Sequence, residues 1–339
     1  MRDGEPTPRQ EFTTSRSVGG RTIDDLVDPA LALDAFRRGA TLVFQSLHTI
    51  WAPLGDLCRD LTFELGHPTQ ANAYLSPRSA RGLALHYDTH DVFVLQVAGA
   101  KRWEVFGPVF ADPLPSQPWP TVRPADGPAV PEPTGPPEVA TTLHPGDCLF
   151  VPRGHVHGAS TTSEQSLHLT VGVRTRTWHG VLSALVARAA DDERFRAALP
   201  AFAADGEVDR FRALVHEWLD DQDLAGLLAF DPGPHERAAA GHHRGMLADA
   251  MAPLEPATVL VHRLRRDRLH IAGDGDHVVL HAPDRTLRFP ARVAPALERV
   301  LAGDRLAVDD LVPLLDADGC LVLARRLVAE GLLRVETIR

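Results

Sequence analysis

The sequence predicts a mainly β protein with helices added in series: a barrel or double-sheet jelly roll, then an all-α region, then a winged-helix-like C-terminal module. Three observations carry this. Between residues 71 and 173, short apolar runs alternate with Gly- and Pro-containing turns, as in closed or double β sheets. From Trp178 to Met251, apolar residues recur at helical intervals. Beyond Ala257, short strands and helical segments lead to a helix over Leu321–Glu330, Gly331 as its cap, and a terminal strand over Leu332–Val335.

Composition narrows the class. A hydrophobic fraction of 44% and a charged fraction of 24% are those of a globular chain, and 339 residues allow two or three domains. A formal net charge of −10 argues against broad nucleic-acid binding, which needs a basic face. Cys58, Cys148 and Cys320 are odd in number and far apart. They make neither a zinc pattern nor a disulfide framework, and fit a reducing cytoplasm. Residues 1–20 carry no apolar run that would read as a signal peptide. No stretch reaches the roughly 18 apolar residues of a membrane helix.

In chain order, residues 1–22 are polar and read as a flexible tail. Ile23–Arg38 has helical spacing, and Gly39 stops it. A short strand over Thr41–Gln45 and a helix over His48–Gly66 follow. Ala71–Leu75 is a strand with Asn72 and Tyr74 on one face. Ser76–Gly82 is a loop. Leu85–Gln96 reads as one strand, ending in the turn Ala98-Gly99-Ala100, and Lys101–Phe106 reads as the second arm of a hairpin. The Pro-rich stretch 107–140 is an irregular insertion. Strands at Cys148–Val151, His155–Ala159 and Ser166–Val173 complete the β domain, which spans 23–176. The helical region, 177–254, divides into Val181–Ala190, Arg194–Leu199, Phe211–Leu219, Leu224–Phe230 and His235–Met251. It offers more apolar surface than one layer hides, so a homodimer through it is expected. In the C-terminal module, 255–339, strands are expected at Thr258–His262 and Asp276–His281, and helices at Val293–Ala302 and Val308–Leu315. Adjacent His242 and His243, and the basic run Val261–Arg268, read as solvated surface.

The chemistry centres on His86 and Asp88. Two apart on a strand, they present an imidazole and a carboxylate to one point, two parts of the 2-His-1-carboxylate site for non-haem Fe(II). The third ligand is open among His155, His157 and His168. His90 shares a phase with His86 but lies farther along, in a surface or supporting role.

Five motifs in order, Asn72-X-Tyr74, His86-X-Asp88, Gly99-X-Lys101-X-Trp103, Pro152-Arg153-Gly154-X-X-His157 and Ser166-Leu167-His168, closely resemble the JmjC/cupin ribosomal-oxygenase family. These are Fe(II)- and 2-oxoglutarate-dependent protein hydroxylases. The resemblance covers about Asn72 to Val173. It implies a double-stranded β-helix (cupin) core with His86, Asp88 and His157 as iron ligands. It places Lys101, fifteen residues after His86, on the far carboxylate of 2-oxoglutarate. It puts Asn72 and Tyr74 in the co-substrate pocket, with His168 and Thr170 on the inner face nearby. The downstream layout matches the family's helical dimerisation region and winged-helix-like module. His155, where family members often carry an aromatic, and Gly158-Ala159-Ser160 depart from the pattern and bear on substrate choice.

Three readings follow. The first is an oxygenase that uses Fe(II), 2-oxoglutarate and O₂ to hydroxylate a side chain of a protein or peptide, with Arg or His of a ribosomal protein favoured. The second is a peptide-tailoring hydroxylase of a natural-product pathway. The third is a non-catalytic, cupin-like, metal-binding regulator, against which the intact His86, Asp88, His157 and Lys101 count. Lysine demethylation fits the downstream layout less well.

Overall fold

A computed structural model describes residues 1–2, 6–80, 84–119, 133, 135–199, 206–228, 246–263, 269–282 and 285–336. Two compact units result: Thr175–Asp231, and Met1–Arg174 together with Pro232–Arg339.

The larger unit is organised on an antiparallel sheet. Its strands are β3 (Leu42–Phe44), β4 (Thr69–Ser76), β5 (Asp91–Pro108), β6 (Val139–Leu143), β7 (Cys148–Val151) and β8 (His155–Val173), ordered β3-β4-β8-β5-β6 with β7 also on β5. Alternation along each strand sorts two faces. Leu169 and Val171 of β8, Phe93 and Leu95 of β5 and Ala71 of β4 pack with Leu54, Cys58 and Leu61 of helix α2 (Ala52–Leu65). The opposite face carries Val92, Val94 and Trp103, packed with Leu143, and lines a cavity. Helix α2 begins at Pro53 in its first turn and ends at Gly66, whose φ of 65° supplies the left-handed cap.

Several expectations are corrected. Residues 1–22 are not a flexible tail: Thr13–Val18 (β1) pairs with Arg21–Val27 (β2). Gly19 and Gly20, at φ 59° and 77°, make the two-residue turn whose twist suits a hairpin. The Met1 amine and carbonyl both bond Thr41. Ile23 therefore lies in a strand, and the helix (α1, Pro29–Arg37) starts later. Asp28 caps it by accepting from the amides of Ala30 and Leu31, with Pro29 at the first position. The expected single strand Leu85–Gln96 begins only at Asp91. Residues 84–90 are irregular, and their one backbone bridge to the sheet joins His86 to His157.

Nor is there a hairpin at Gly99. Strand β5 runs through it to Pro108, with bulges against β8 between Gln96 and Ala98 and between Gly99 and Lys101. Gly99 has φ 63°, the αL conformation that glycine adopts in bulges. Gln96, itself buried, donates from Nε2 to the carbonyls of Ala98 and Gly99 and to Ser166 Oγ, which fixes the irregularity.

In the C-terminal part, β9 (Val259–His262) is flanked by β13 (Arg305–Ala307) and β14 (Leu333–Val335). A second sheet, β10 (His270–Asp274), β11 (His277–Ala282) and β12 (Arg285–Pro290), contains two strands the sequence reading missed. The helices here are Ala294–Leu301 and Ala317–Ala329, while Val308–Leu311 is a 3₁₀ turn rather than a third α-helix. One core joins these parts, built on Leu260, Leu280, Leu297, Leu311 and Leu327.

The smaller unit is helical: Trp178–Ala189 (α3), Glu193–Arg196 (α4), Glu207–Asp220 (α5) and Leu224–Leu228 (α6). Residues 120–132 of the insertion, most of the expected helix His235–Met251 including His242 and His243, and residues 264–268 of the basic run lie outside the described residues. No helix among the described residues is long and apolar enough to cross a membrane.

Candidate metal centre

Two neighbouring stretches deliver the histidines. The amide of His86 donates to the carbonyl of His157 at 3.1 Å, and the amide of His157 donates back at 2.8 Å. This reciprocal pair places the imidazoles side by side, with centroids 4.5 Å apart. Asp88 follows two residues after His86, and its carbonyl accepts from the amide of Gly154 at 3.0 Å. One donor atom from each of His86, Asp88 and His157 lies within 4.8 Å of the others.

The ring orientations suit a metal. His86 Nδ1 lies 2.8 Å from the carbonyl of Ala84, and His157 Nδ1 lies 3.0 Å from that of His155. With those nitrogens donating to backbone, each Nε2 keeps a free lone pair, the arrangement that orients ligating histidines. His157 Nε2 stands 3.6 Å from Asp88 Oδ2. Burial, then the neighbouring His86, pushes the His157 pKa down to about 4, so the ring is neutral at pH 7. Neutral imidazole is the ligating form. The donor set, two nitrogens and a carboxylate, matches that of open non-haem iron sites.

The cavity runs from this triad to Lys101, and is lined between them by Tyr74, Trp103, His168 and Thr170. Lys101 is 3% exposed, and its Nζ donates to Ser76 Oγ at 3.2 Å. Ser76 also accepts from Thr41 Oγ1 at 3.0 Å. Among the described residues no acidic partner of Lys101 is recorded, and desolvation lowers its pKa to about 8. A buried ammonium held by one hydroxyl is a receptor for an anion. His168 stacks on Tyr74 at 4.9 Å and meets Trp103 edge-on at 5.4 Å. Its pKa lies well below the usual histidine value, through burial first and the Lys101 charge second. Burial and the nearby Asp88 charge hold the Tyr74 phenol in its protonated form.

The structure thus brings together His86, Asp88 and His157, and lines one cavity with Lys101, Tyr74, His168 and Thr170. Asn72 is outside the lining: its Oδ1 accepts from the amide of Ser46. His155 turns towards Glu138, with Nε2 4.0 Å from the carboxylate. His90 rests against Gly172, where any Cβ would come within 2.6 Å of the ring. The sequence reading missed Ser76 and Thr41, and gave Trp103 a place in a motif but no role. Ser76 had a signal, since it shares the phase of Asn72 and Tyr74. Thr41 had none.

Residues 52–181 match the JmjC domain family. The chain is 33% identical over 179 residues to the bifunctional lysine-specific demethylase and histidyl-hydroxylase NO66 of Dictyostelium discoideum, covering 51% of this chain and 34% of that protein. It is 32% identical over 213 residues to human ribosomal oxygenase 1, covering 59% of this chain and 32% of that protein. The chain thus spans about a third of the length of these curated relatives. Its fold is similar to that of Escherichia coli YcfD, with a TM-score of 0.52 at 18% identity, over 96% of this chain and 86% of that one.

Proposed function

Because residues 52–181 form a JmjC domain, we propose that the chain is an Fe(II)- and 2-oxoglutarate-dependent oxygenase that hydroxylates a side chain of a protein or peptide. One observation carries the proposal: a two-histidine, one-carboxylate cluster opens into the same cavity as a buried lysine with no acidic partner recorded among the described residues. Bound Fe(II) would couple decarboxylation of 2-oxoglutarate by O₂ to hydroxylation of a C–H bond.

The chain's own residues then divide the work. His86, Asp88 and His157 would hold the metal. Lys101, steadied by Ser76, takes the far carboxylate of the co-substrate and fixes its direction. Tyr74, His168 and Thr170 line its flank, and Asn72 lies two residues before Tyr74 on β4. Val92, Val94 and Trp103 keep the site dry, which strengthens the Lys101 contact.

For the substrate we favour arginine or histidine of a ribosomal protein. The relatives' names, ribosomal oxygenase and histidyl-hydroxylase, support that choice. A peptide-tailoring hydroxylase uses the same site. The regulator reading has in its favour only the appended C-terminal module.

The domain reading stays a proposal of the same rank. Residues 177–254 are proposed as the homodimerisation region, and residues 255–339 as a winged-helix-like module that includes β13-β9-β14 and the helices Ala294–Leu301 and Ala317–Ala329. A cytoplasmic location accords with the three free cysteines.

Anaerobic addition of Fe(II) and 2-oxoglutarate tests the core claim. A weak visible charge-transfer band is expected with the wild-type chain and absent in His157→Ala and Asp88→Ala. Iron binding without a band would favour the regulator.

A further inference from the structure

We infer that the first residues of the Pro-rich insertion, through Tyr87, are positioning residues for the metal ligands. The inference rests on the metal reading above and extends it to residues outside the cavity.

The ligand-bearing segment is weakly held by the sheet. Among the described residues of 84–90, the one ladder contact is the His86–His157 bridge. Regular strands hold their side chains by pairing at every residue, and this stretch lacks that. Something else must fix the angle between the His86 and Asp88 side chains, since metal affinity depends on ligands held within a fraction of an ångström.

The insertion supplies it. Tyr87 sits between the two ligands in the chain. It is absent from the cavity lining yet only 2% exposed. Its hydroxyl donates to the carbonyl of Gln117 at 3.0 Å, and its ring meets Trp119 edge-on at 5.1 Å. The turn presenting Gln117 is closed from within: Gln117 Oε1 accepts from the amide of Leu114, and the Gln117 amide donates to the Leu114 carbonyl.

A second set of contacts ties the insertion to the other ligand. Arg153 pairs with Asp112 at 3.0 Å, and its amide donates to Asp91 Oδ1. Gly154, whose amide bonds the Asp88 carbonyl, lies so close to Phe110 that a Cβ would fall 2.4 Å from that residue's carbonyl oxygen. Residues 110–119 therefore contact both Tyr87 and Gly154, whose amide bonds the Asp88 carbonyl. The sequence, in which 107–140 shows only as an irregular Pro-rich insertion, gives no route to this.

Co(II) titration of the full-length chain, followed by d–d absorption without turnover, tests the inference. Trp119→Ala and Tyr87→Phe are expected to weaken Co(II) binding roughly tenfold, the effect typical of residues that orient ligands, and to alter the band envelope. Trp119→Phe, which keeps an aromatic edge, is expected to restore both. Wild-type affinity and band shape in Trp119→Ala and Tyr87→Phe would overturn the inference, and so would a loss in Trp119→Ala that Trp119→Phe does not recover. Failure of the wild-type chain to bind Co(II) would instead sink the metal reading itself.

Discussion

Lys101 shows how one side chain ties burial to function. The residue is 3% exposed, and desolvation brings its pKa down to about 8. Below that pH the empty site already carries the positive charge that a carboxylate needs. Above it, the free protein has lost the proton and must regain it on binding. Affinity for 2-oxoglutarate should therefore be flat below about pH 8 and fall about tenfold per unit above it, until the higher pKa of the bound form is reached. Calorimetric titration between pH 7 and 10 checks this; an affinity unchanged through pH 9.5 would contradict it. Lys101→Met keeps the volume and removes the charge. It should cost ~1.5–3 kcal/mol, which is roughly 10- to 100-fold in Kd. The fold-level decision to bury this lysine was not visible locally. As one residue among alternating neighbours it has the look of a solvated strand lysine, and only its match to a family motif singled it out.

At the scale of elements, the bulge at Gly99 decides where Lys101 points. From Val92, strand alternation puts even-numbered residues inside: Val92 and Val94 line the cavity. Continued unbroken, that phase would turn Lys101 and Trp103 outward. The bulges between Gln96 and Lys101 shift it, so the odd-numbered Lys101, Trp103 and Val105 are buried instead. Gly99→Ala should fail twice over: φ of 63° disfavours any Cβ, and the Cβ would lie 1.8 Å from the carbonyl oxygen of Gln165. A loss of at least ~2 kcal/mol is expected from the strain alone. It should be read in denaturant titrations together with a weakened 2-oxoglutarate site. Full stability and full affinity would show that the bulge is not needed. The sequence reading saw the glycine and made it a hairpin turn, because a positive-φ residue serves both purposes and the choice depends on what the next strand pairs with.

For the whole molecule, helix α3 states the open question. Trp178, Leu182 and Val186 recur every fourth residue and are 78%, 58% and 65% exposed, so they form an apolar stripe along one helix. Val208 and Phe211 of α5 are exposed in the same unit. Leu182→Glu with Val186→Glu should give a monomer by light scattering at micromolar concentration with helical content kept, if this unit is the dimer interface. A monomeric wild-type chain would remove that proposal. What the sequence determined by itself was whatever depends on short range. The period-2 and period-3.6 patterns located most strands and helices, and helix ends showed as caps at Gly66 and Gly331. The His86-X-Asp88 spacing offered two ligands, and the family resemblance added His157 to the cluster that the fold then gathers within 4.8 Å. Tertiary structure alone decided the rest. It set the phase switch in β5, the hairpin over residues 13–27, the removal of Asn72 from the cavity, and the clasp of residues 110–119 on Tyr87. The physical reason is common to all four. Each depends on a partner distant in sequence or on a backbone dihedral, and neither a dihedral nor a distant partner leaves a periodic trace in the chain.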